Sequence, residues 1–223
     1  MTETVAILGG TGNLGFGVAV RLGKAGLRVV IGSRDPERGR AAADRATKLV
    51  DGGQFRGAGN GEAAAAADRL IILSVPFSSQ AVTLKSVAGN LREGQVLLDA
   101  TVPLAPAVGG KPTQLIGVWQ GSAAQQARAL VPAGIGVVSG LHTISAAVLE
   151  DLEIPLEQDT FLCGDKATDK AVAADVLSNI EGLRVVDAGR LEMSRLVEGL
   201  TPLLIGINAR NKVHAGIRVV GLP

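Results

Sequence analysis

Three glycines near the start of the chain have the spacing of a phosphate-binding turn. Gly10, Gly12 and Gly15 follow the apolar run 5–8 and open a helical pattern that leaves Arg21 on its polar face. This order of buried strand, glycine turn and amphipathic helix is the context that a GxGxxG motif requires. We expect Gly10 to allow a tight turn, Gly12 to let the backbone approach a pyrophosphate, and Gly15 to let helix and strand pack closely. The motif predicts a dinucleotide site; an ordinary βα turn is the alternative.

The residues about 20 positions after this turn indicate which dinucleotide fits. An NAD site places a carboxylate there to bind the ribose hydroxyls, whereas this chain has Ser33 and Arg34, followed one helical turn later by Arg38. A hydroxyl and two guanidinium groups attract a 2′-phosphate, and each charge-assisted hydrogen bond contributes roughly 1.5–3 kcal/mol. The pattern therefore favours NADP. Asp35 and Glu37 lend support to the alternative, a solvated charge run at a helix start.

The composition limits the other chemistry that the chain can carry. Of 223 residues 47% are hydrophobic and the net charge is +1, which predicts a globular protein with no attraction to nucleic acid or membrane. Tyrosine is absent, so the Tyr/Lys pair of short-chain dehydrogenases is excluded. One cysteine and two histidines exclude an internal disulfide and argue against a metal site. No signal peptide is evident, and we expect a cytoplasmic location.

Two further apolar strands are expected to end beside the coenzyme. Ligands of a doubly wound sheet bind beyond the carboxyl ends of its strands, so the segment 74–77, with Val75 and Pro76, should flank the nicotinamide. By the same rule the segment 100–103, with Val102, should face the coenzyme. A plain strand-ending turn is the alternative at Pro76. The Pro- and Gly-rich stretch 104–121, which carries the only tryptophan, is either a binding loop or a surface excursion.

A lone histidine follows the next strand. His142 lies in the uncharged run 129–149, which Pro, Gly and polar residues divide into a strand, a turn and a helix start rather than a membrane span. A histidine in an apolar stretch is most often a core residue. Its position past a strand end, on the coenzyme side, leaves a role in orienting a substrate equally open.

Three local features add smaller predictions. Asn60 is expected to cap the alanine-rich helix that follows it. Cys163 lies in an apolar stretch and is expected to be a buried small hydrophobe rather than a nucleophile. The last helix, from about residue 191, should kink one turn before Pro202.

The alternation of strands and helices predicts an α/β fold. A Rossmann-type doubly wound parallel sheet would occupy residues 1–145 as the NADP-binding domain. The β-α-β-α pattern of 146–223 would form a small C-terminal α/β domain.

The chain resembles the F420-dependent NADP oxidoreductases, and the likeness runs nearly end to end. The glycine turn is common to many dinucleotide proteins, whereas the later segments are more specific to this family. The matching segments are 7–15, 32–34, 141–144, 163–165, 183–189, 194–198 and 200–203. The stretch 104–121 departs from the family pattern.

The resemblance implies roles for individual residues. NADP would be held by the glycine turn and the cations after the second strand, namely Thr11, Gly12, Asn13, Leu14, Ser33, Arg34 and Arg38. The nicotinamide side would be lined by Val75, Pro76, Val102 and Ala146. The C-terminal domain would complete a deazaflavin cleft shaped by His142, Ile144, Leu204 and Ala215, with His142 as the orienting catalytic residue.

The implied activity is hydride transfer between NADP(H) and the deazaflavin coenzyme F420, by a homodimer whose partners are small redox coenzymes. The protein would supply orientation and electrostatics, since the coenzymes carry the chemistry. Alternatives are an NADPH-dependent flavin or metal reductase of the same fold, or a non-catalytic NADP(H)-sensing protein. Imine and 3-hydroxyacid dehydrogenases need a larger helical second domain than the residues after about 145 provide.

Overall fold

The computed structural model describes residues 3–222, which form eight strands and nine α-helices. The strands, β1 to β8 in chain order, are Thr4–Leu8, Arg28–Ser33, Gln54–Gly59, Leu70–Leu73, Val96–Asp99, Gly136–Ser139, Gln158–Gly164 and Leu183–Asp187. The helices, α1 to α9, are Asn13–Lys24, Pro36–Leu49, Asn60–Ala66, Phe77–Val87, Ala123–Leu130, Ala146–Glu150, Ala167–Leu177, Ser194–Glu198 and Leu200–Asn211.

All eight strands join in one sheet, in the order β3-β2-β1-β4-β5-β6-β7-β8. Neighbours are parallel except β6 and β7, which are antiparallel. The predicted Rossmann-type α/β fold is confirmed, with this single reversal added. The sheet continues from β6 to β7 across position 145, and the division into domains 1–145 and 146–223 stays a prediction.

Strand β1 shows why the apolar runs lack polar alternation. Val5 and Ile7 pack into the core on one face of the sheet, and Ala6 and Leu8 pack into the core on the other; all four are fully buried. Helices cover both faces, so each strand residue meets apolar neighbours whichever way it points. The dinucleotide turn therefore begins on a rigid, fully buried strand.

Arg21 of α1 lies inside the protein, where the sequence pattern predicted an exposed polar face. It is 6% exposed, and its guanidinium donates to the carbonyls at the end of α6: Nε to Leu149 at 3.0 Å and Nη2 to Val148, Asp151 and Ile154 at 2.7–2.8 Å. A helix leaves its last four carbonyls without intrahelical donors. Arg21 donates to two of these, Val148 and Leu149, and to two carbonyls that follow the helix. Helices α1 and α6 are thereby fixed to each other.

A buried polar cluster ties the carboxyl end of β5 to α4 and α5. The Gln80 amide is fully buried, and its Nε2 lies 2.6 Å from Asp99 Oδ2, 2.7 Å from Thr101 Oγ1 and 2.9 Å from the Ala123 carbonyl. Gln126 Nε2 donates to Gln80 Oε1 at 2.7 Å. The cluster fixes the backbone that leads from β5 to Val102, since buried amides are held by the partners that satisfy them.

Glu198, at the end of α8, joins the same region from the other side. Its carboxylate, 2% exposed, accepts the N–H groups of Ala123 at 3.0 Å and Ala124 at 3.2 Å, so it caps the start of α5. Burial raises the pKa of Glu198 from 4.5 to about 7, and the nearby Asp99 adds to the rise. Burial likewise raises the pKa of Asp99 from 3.8 to about 6, against hydrogen bonds from Thr101 and Gln80.

The last helix is interrupted where the proline requires it. A single helix from about residue 191 was predicted; the structure has α8 and α9 separated by Gly199, three residues before Pro202. Proline lacks the N–H that would bond the carbonyl one turn back, so the break lies at the predicted place. Thr201 Oγ1 then donates to the His142 carbonyl at 2.8 Å, which ties α9 to the end of β6.

The connection between β5 and α5 closes on itself. Leu104 and Leu115 form an antiparallel bridge, and Ile116 N donates to the Pro103 carbonyl at 2.8 Å. Trp119, beyond this bridge, is 98% exposed.

Cys163 is fully buried, as predicted, and burial raises the pKa of its thiol. Within residues 3–222 no helix combines the length and the apolar character that crossing a membrane would need.

The two buried carboxyls predict a pH-dependent stability. Both bind protons more tightly in the folded than in the unfolded chain, so the free energy of unfolding should fall as pH rises from about 4 to about 7, where Asp99 and Glu198 ionise. Each raised pKa corresponds to roughly 3 kcal/mol. In urea denaturation at pH 5, 6, 7 and 8, Glu198→Gln should gain stability relative to the unmodified protein as pH increases.

Glu192→Gln is the matched control, because this exposed glutamate lies in the neighbouring turn and its loss changes the net charge equally. The pH window above 5 avoids carboxyls such as Asp159, whose pKa Arg184 lowers and whose contribution is lost only in more acidic solution. A stability difference between Glu198→Gln and the unmodified protein that stays constant from pH 5 to pH 8 would contradict the assignment.

Candidate functional site

The turn after β1 depends on a glycine that precedes the predicted motif. Gly9 has φ of +75°, and a Cβ there would lie 2.6 Å from the Ser74 carbonyl oxygen and 2.5 Å from Val75 Cγ1. Gly9 N donates to Asn60 Oδ1 at 3.3 Å. Only glycine adopts this conformation at so close an approach. The sequence motif, which begins at Gly10, did not indicate this position.

The three motif glycines differ in their surroundings. A Cβ on Gly10 would lie 2.9 Å from the Ile7 carbonyl oxygen, and one on Gly15 would lie 2.9 Å from the Gly10 Cα. Both positions are therefore closed by backbone. A Cβ on Gly12 would meet nothing nearer than the Gly9 carbonyl oxygen at 3.4 Å, and Gly12 lines a cavity. The open approach that the motif predicts lies at Gly12.

Helix α1 begins at Asn13 with its N-terminal amides free of side-chain caps. Within residues 3–222 no side-chain cap bonds to this end, and the first turn carries no acidic residue. The first amides of a helix have no intrahelical acceptors and carry partial positive charge. The turn can therefore hold an anion such as a pyrophosphate.

A cavity of about 550 Å³ lies beyond the carboxyl ends of β1, β2 and β4. It brings together seven of the predicted residues: Thr11, Gly12, Ser33, Arg34, Arg38, Val75 and Pro76. It also contains Ser74, from the segment 74–77 that is expected beside the nicotinamide, and it adds five residues that the sequence did not place in the site: Gly9, Asp35, Asn60, Ser79 and Thr83. It does not include the remaining ten: Gly10, Asn13, Leu14, Gly15, Val102, His142, Ile144, Ala146, Leu204 and Ala215.

The two arginines that line this cavity have no counter-charge among the described residues. Within residues 3–222, the side chains of Arg34 and Arg38 form neither an ion pair nor a hydrogen bond, and both are exposed to the cavity. The neighbouring carboxylates are engaged elsewhere: Asp35 Oδ1 accepts the Glu37 N–H at 3.0 Å, and Glu37 pairs with Arg40. The two cations are thus available to an anionic ligand, which weighs against a solvated charge run.

Asn60 differs from its prediction. Gly59 is the N-cap of α3, and in the described part of the chain no side-chain cap bonds to that end of the helix. The buried Asn60 side chain instead accepts the N–H of Gly9, which follows β1. No periodicity or motif in the sequence indicates such a contact, because the two residues are 51 positions apart.

Thr83 of α4 is a second cavity residue that the sequence did not indicate. It is 2% exposed, its hydroxyl has no hydrogen-bond partner within residues 3–222, and it lines the same cavity.

The segment that carries His142 is strained and firmly held. Leu141 has φ of +69°, a region that costs a bulky residue roughly 1–3 kcal/mol. Leu141 N donates to Thr160 Oγ1 at 2.8 Å, and Thr143 Oγ1 donates to the Asp159 carbonyl at 2.7 Å. Strand β7 therefore fixes this segment from the side. Such strain is common at functional sites.

His142 is buried and neutral. It is 6% exposed, and burial lowers the pKa of its imidazole to about 4, against an opposing contribution from the Thr101 backbone. Neither ring nitrogen has a hydrogen-bond partner within residues 3–222. A neutral imidazole offers one donor and one acceptor, so both are unsatisfied within the described part of the chain.

The other predicted substrate residues lie on the surrounding elements. Ile144 follows β6 and packs into the core, while Ala146 begins α6. Leu204 lies on α9 and is 7% exposed. Ala215 follows α9, where its N–H donates to Asn208 Oδ1 at 2.8 Å.

Comparison with known proteins adds the family. The sequence model of the family described as "NADP oxidoreductase coenzyme F420-dependent" matches residues 4–103. An F420-dependent NADP reductase of Methanothermobacter thermautotrophicus is 40% identical, over 100% of this chain and 97% of the relative. The F420-dependent NADP reductase of Methanocaldococcus jannaschii is 39% identical, over 98% of each chain.

Solved structures agree with the fold. A protein of Arthrobacter sp. FB24, provisionally described as an F420-dependent NADP reductase, superposes with a TM-score of 0.81 at 27% identity, over 98% of this chain and 99% of the other. A 3-hydroxyisobutyrate dehydrogenase of Mycobacterium tuberculosis superposes with a TM-score of 0.66 at 17% identity, but this chain covers only 62% of its length. Full-length identity near 40% with curated relatives decides the matter: the chain belongs to the F420-dependent NADP reductase family.

Proposed function

We propose that this protein is an oxidoreductase that transfers a hydride between NADP(H) and coenzyme F420. The assignment of NADP rests on Arg34 and Arg38, whose side chains have no counter-charge within residues 3–222. Both line the cavity next to the N-terminus of α1. The assignment of F420 rests on the relatives, which match this chain along nearly their whole length and are named F420-dependent NADP reductases. When bound, the two coenzymes supply hydride donor and acceptor carbons in nicotinamide C4 and deazaflavin C5.

The residues of the 550 Å³ cavity suit the phosphates of NADP. The α1 amides and the open face of Gly12 would hold the pyrophosphate, as an N-terminal helix end does for anions. Ser33, whose hydroxyl accepts the Asp35 N–H at 3.3 Å, would stand with Arg34 and Arg38 around the 2′-phosphate. Val75 and Pro76 extend the cavity toward the carboxyl end of β4.

The residues after β5 and β6 suit an uncharged ring. Val102, Ile144 and Ala146 offer small apolar side chains past the strand ends, and the held backbone around His142 keeps them in place. His142 would donate or accept one hydrogen bond at the edge of the deazaflavin and help exclude water. No nucleophile or pair of carboxylates is needed, since the chain's contribution is orientation.

We also propose a homodimer formed through α8 and α9. Leu196 and Leu203 are 55% and 56% exposed on these helices, and Leu115 of the neighbouring connection is 43% exposed. Apolar side chains exposed together in this way favour burial against a second protein surface.

The function predicts a specific acceptor. Mixing the protein with NADPH and oxidised F420 should bleach the deazaflavin absorbance, whereas FMN in place of F420 should give a rate at least ten-fold lower if the site is built to orient the deazaflavin. Reduction of FMN alone would instead indicate a flavin reductase, and binding of NADPH without reduction of either would indicate a sensor.

The 2′-phosphate assignment predicts a loss confined to NADPH. Arg34→Gln and Arg38→Gln should each raise the KM for NADPH by roughly ten-fold or more, because each removes a charge-assisted hydrogen bond of about 1.5–3 kcal/mol. The KM for NADH should change less than two-fold. Steady-state kinetics with both dinucleotides makes the measurement.

Arg40→Gln is the control, since Arg40 already pairs with Glu37 and does not line the cavity. Equal changes for NADPH and NADH in the Arg34 and Arg38 variants would remove the assignment.

The orphaned imidazole predicts a separate effect on the second coenzyme. His142→Ala should impair the KM or kcat for F420 by roughly five-fold or more, the value of one hydrogen bond of about 1 kcal/mol or above. The Kd for NADPH, measured by calorimetry, should stay within two-fold. If both deazaflavin constants are unchanged, His142 is a core residue.

A further inference from the structure

The segment after α9 is basic and stays close to the ligand edge of the sheet. Residues 212–222 contain Lys212, His214 and Arg218 and no aspartate or glutamate. All three side chains are exposed. Within residues 3–222, Lys212 and Arg218 form neither an ion pair nor a side-chain hydrogen bond.

Buried charge holds this segment in place. Arg184 Nε and Nη2 donate to the two oxygens of Asp159 at 2.9 and 2.8 Å, and Val219 N donates to Asp159 Oδ2 at 2.6 Å. Asp159 N donates to the Ile217 carbonyl at 2.8 Å. Arg184 is the main cause of the lowered pKa of Asp159, and the charge of Arg218 contributes. The backbone around Arg218 is therefore fixed while its side chain is unpaired.

The reversal of β7 brings this anchor to the coenzyme side. Ser139 at the end of β6 pairs with Cys163 near the end of β7, so the start of β7, with Gln158 and Asp159, extends past the carboxyl end of β6. Strand β8 is parallel to β7, which places Arg184 at the same edge. The anchor of the basic segment thus lies where the other strands of the sheet present their ligand ends.

A second cavity, of about 300 Å³, lies between the basic segment and the end of α6. Its lining includes His214, Gly216 and Arg218 on one side and Val148 and Ile154 on the other. Glu157 is the one carboxylate in that lining.

The cavity adjoins the segment proposed to face the nicotinamide. His214 Nδ1 lies 3.5 Å from Ser145 Oγ, next to the start of α6 at Ala146. A group attached to a ring beside Ala146 and Ala215 would therefore meet the side chains of His214 and Arg218.

We infer that His214 and Arg218 form a subsite for the anionic side chain of the deazaflavin, its phosphodiester and carboxylate groups. This inference rests on the proposed function and names the part of the coenzyme that this segment recognises. Unpaired guanidinium and ammonium groups bind such anions by charge-assisted hydrogen bonds. The subsite adds affinity for the complete coenzyme and leaves the ring chemistry to the residues after β5 and β6.

The test compares F420 with the same 8-hydroxy-5-deazaflavin ring bearing only its ribityl chain. In the Arg218→Gln variant, the KM for F420 should rise about ten-fold or more, the value of one charge-assisted hydrogen bond. The KM for the shortened analogue should stay within two-fold, and added salt should weaken F420 binding less steeply than in the unmodified protein. Arg218→Lys, which keeps the charge, should recover part of the loss.

Lys48→Gln provides the control, because it removes one exposed cation on α2, which does not line this cavity. Parallel changes in the KM for F420 and for the shortened analogue, or no change for F420, would overturn the subsite. If the unmodified protein reduces neither deazaflavin, the proposed function is wrong and the subsite with it. The reaction of the unmodified protein therefore separates this outcome from failure of the subsite alone.

Discussion

The close approach of Gly9 to the end of β4 is the constraint on which the rest of the site depends. Its positive φ and the 2.6 Å that would separate a Cβ from the Ser74 carbonyl leave room for hydrogen alone. The chain can then reverse within a few residues of a fully buried strand, so α1 starts directly over the sheet edge. Asn60 holds the Gly9 amide, and the two cations after β2 reach the cavity that this reversal opens.

The two halves of the site are held by different kinds of bond. On the dinucleotide side, backbone geometry sets the turn, and one side chain, Asn60, holds the Gly9 amide. On the other side, the segment after β6 is fastened by β7 through Thr160 and Asp159, and by α9 through Thr201. Arg21 joins the halves, because its guanidinium carries the end of α6 on the side of α1. The positions of the two ligand regions relative to each other therefore depend in part on Arg21, a side chain that does not line the dinucleotide cavity.

Local features were predictable from the sequence, and long-range ones were not. The glycine turn, the cations at positions 34 and 38 and the break before Pro202 follow from neighbouring residues, and the structure has them where expected. Asn60, Arg21 and the reversal of β7 depend on partners 24 to 133 residues away. Arg21 in particular follows a helical pattern that indicates exposure, yet a cation can be buried wherever helix carbonyls need donors. Contacts between distant elements leave no periodic signal.

The exposed tryptophan has a spectroscopic consequence. Trp119 is the only tryptophan and the chain has no tyrosine, so ultraviolet emission excited near 295 nm reports a single indole in bulk water on the connection between β5 and α5. The core contains phenylalanine, such as Phe16, among mainly aliphatic side chains, and it contributes no background to that signal. Any docking of this connection, whether over a ring or against a second subunit, would transfer the indole to a less polar medium and shift its emission to shorter wavelength.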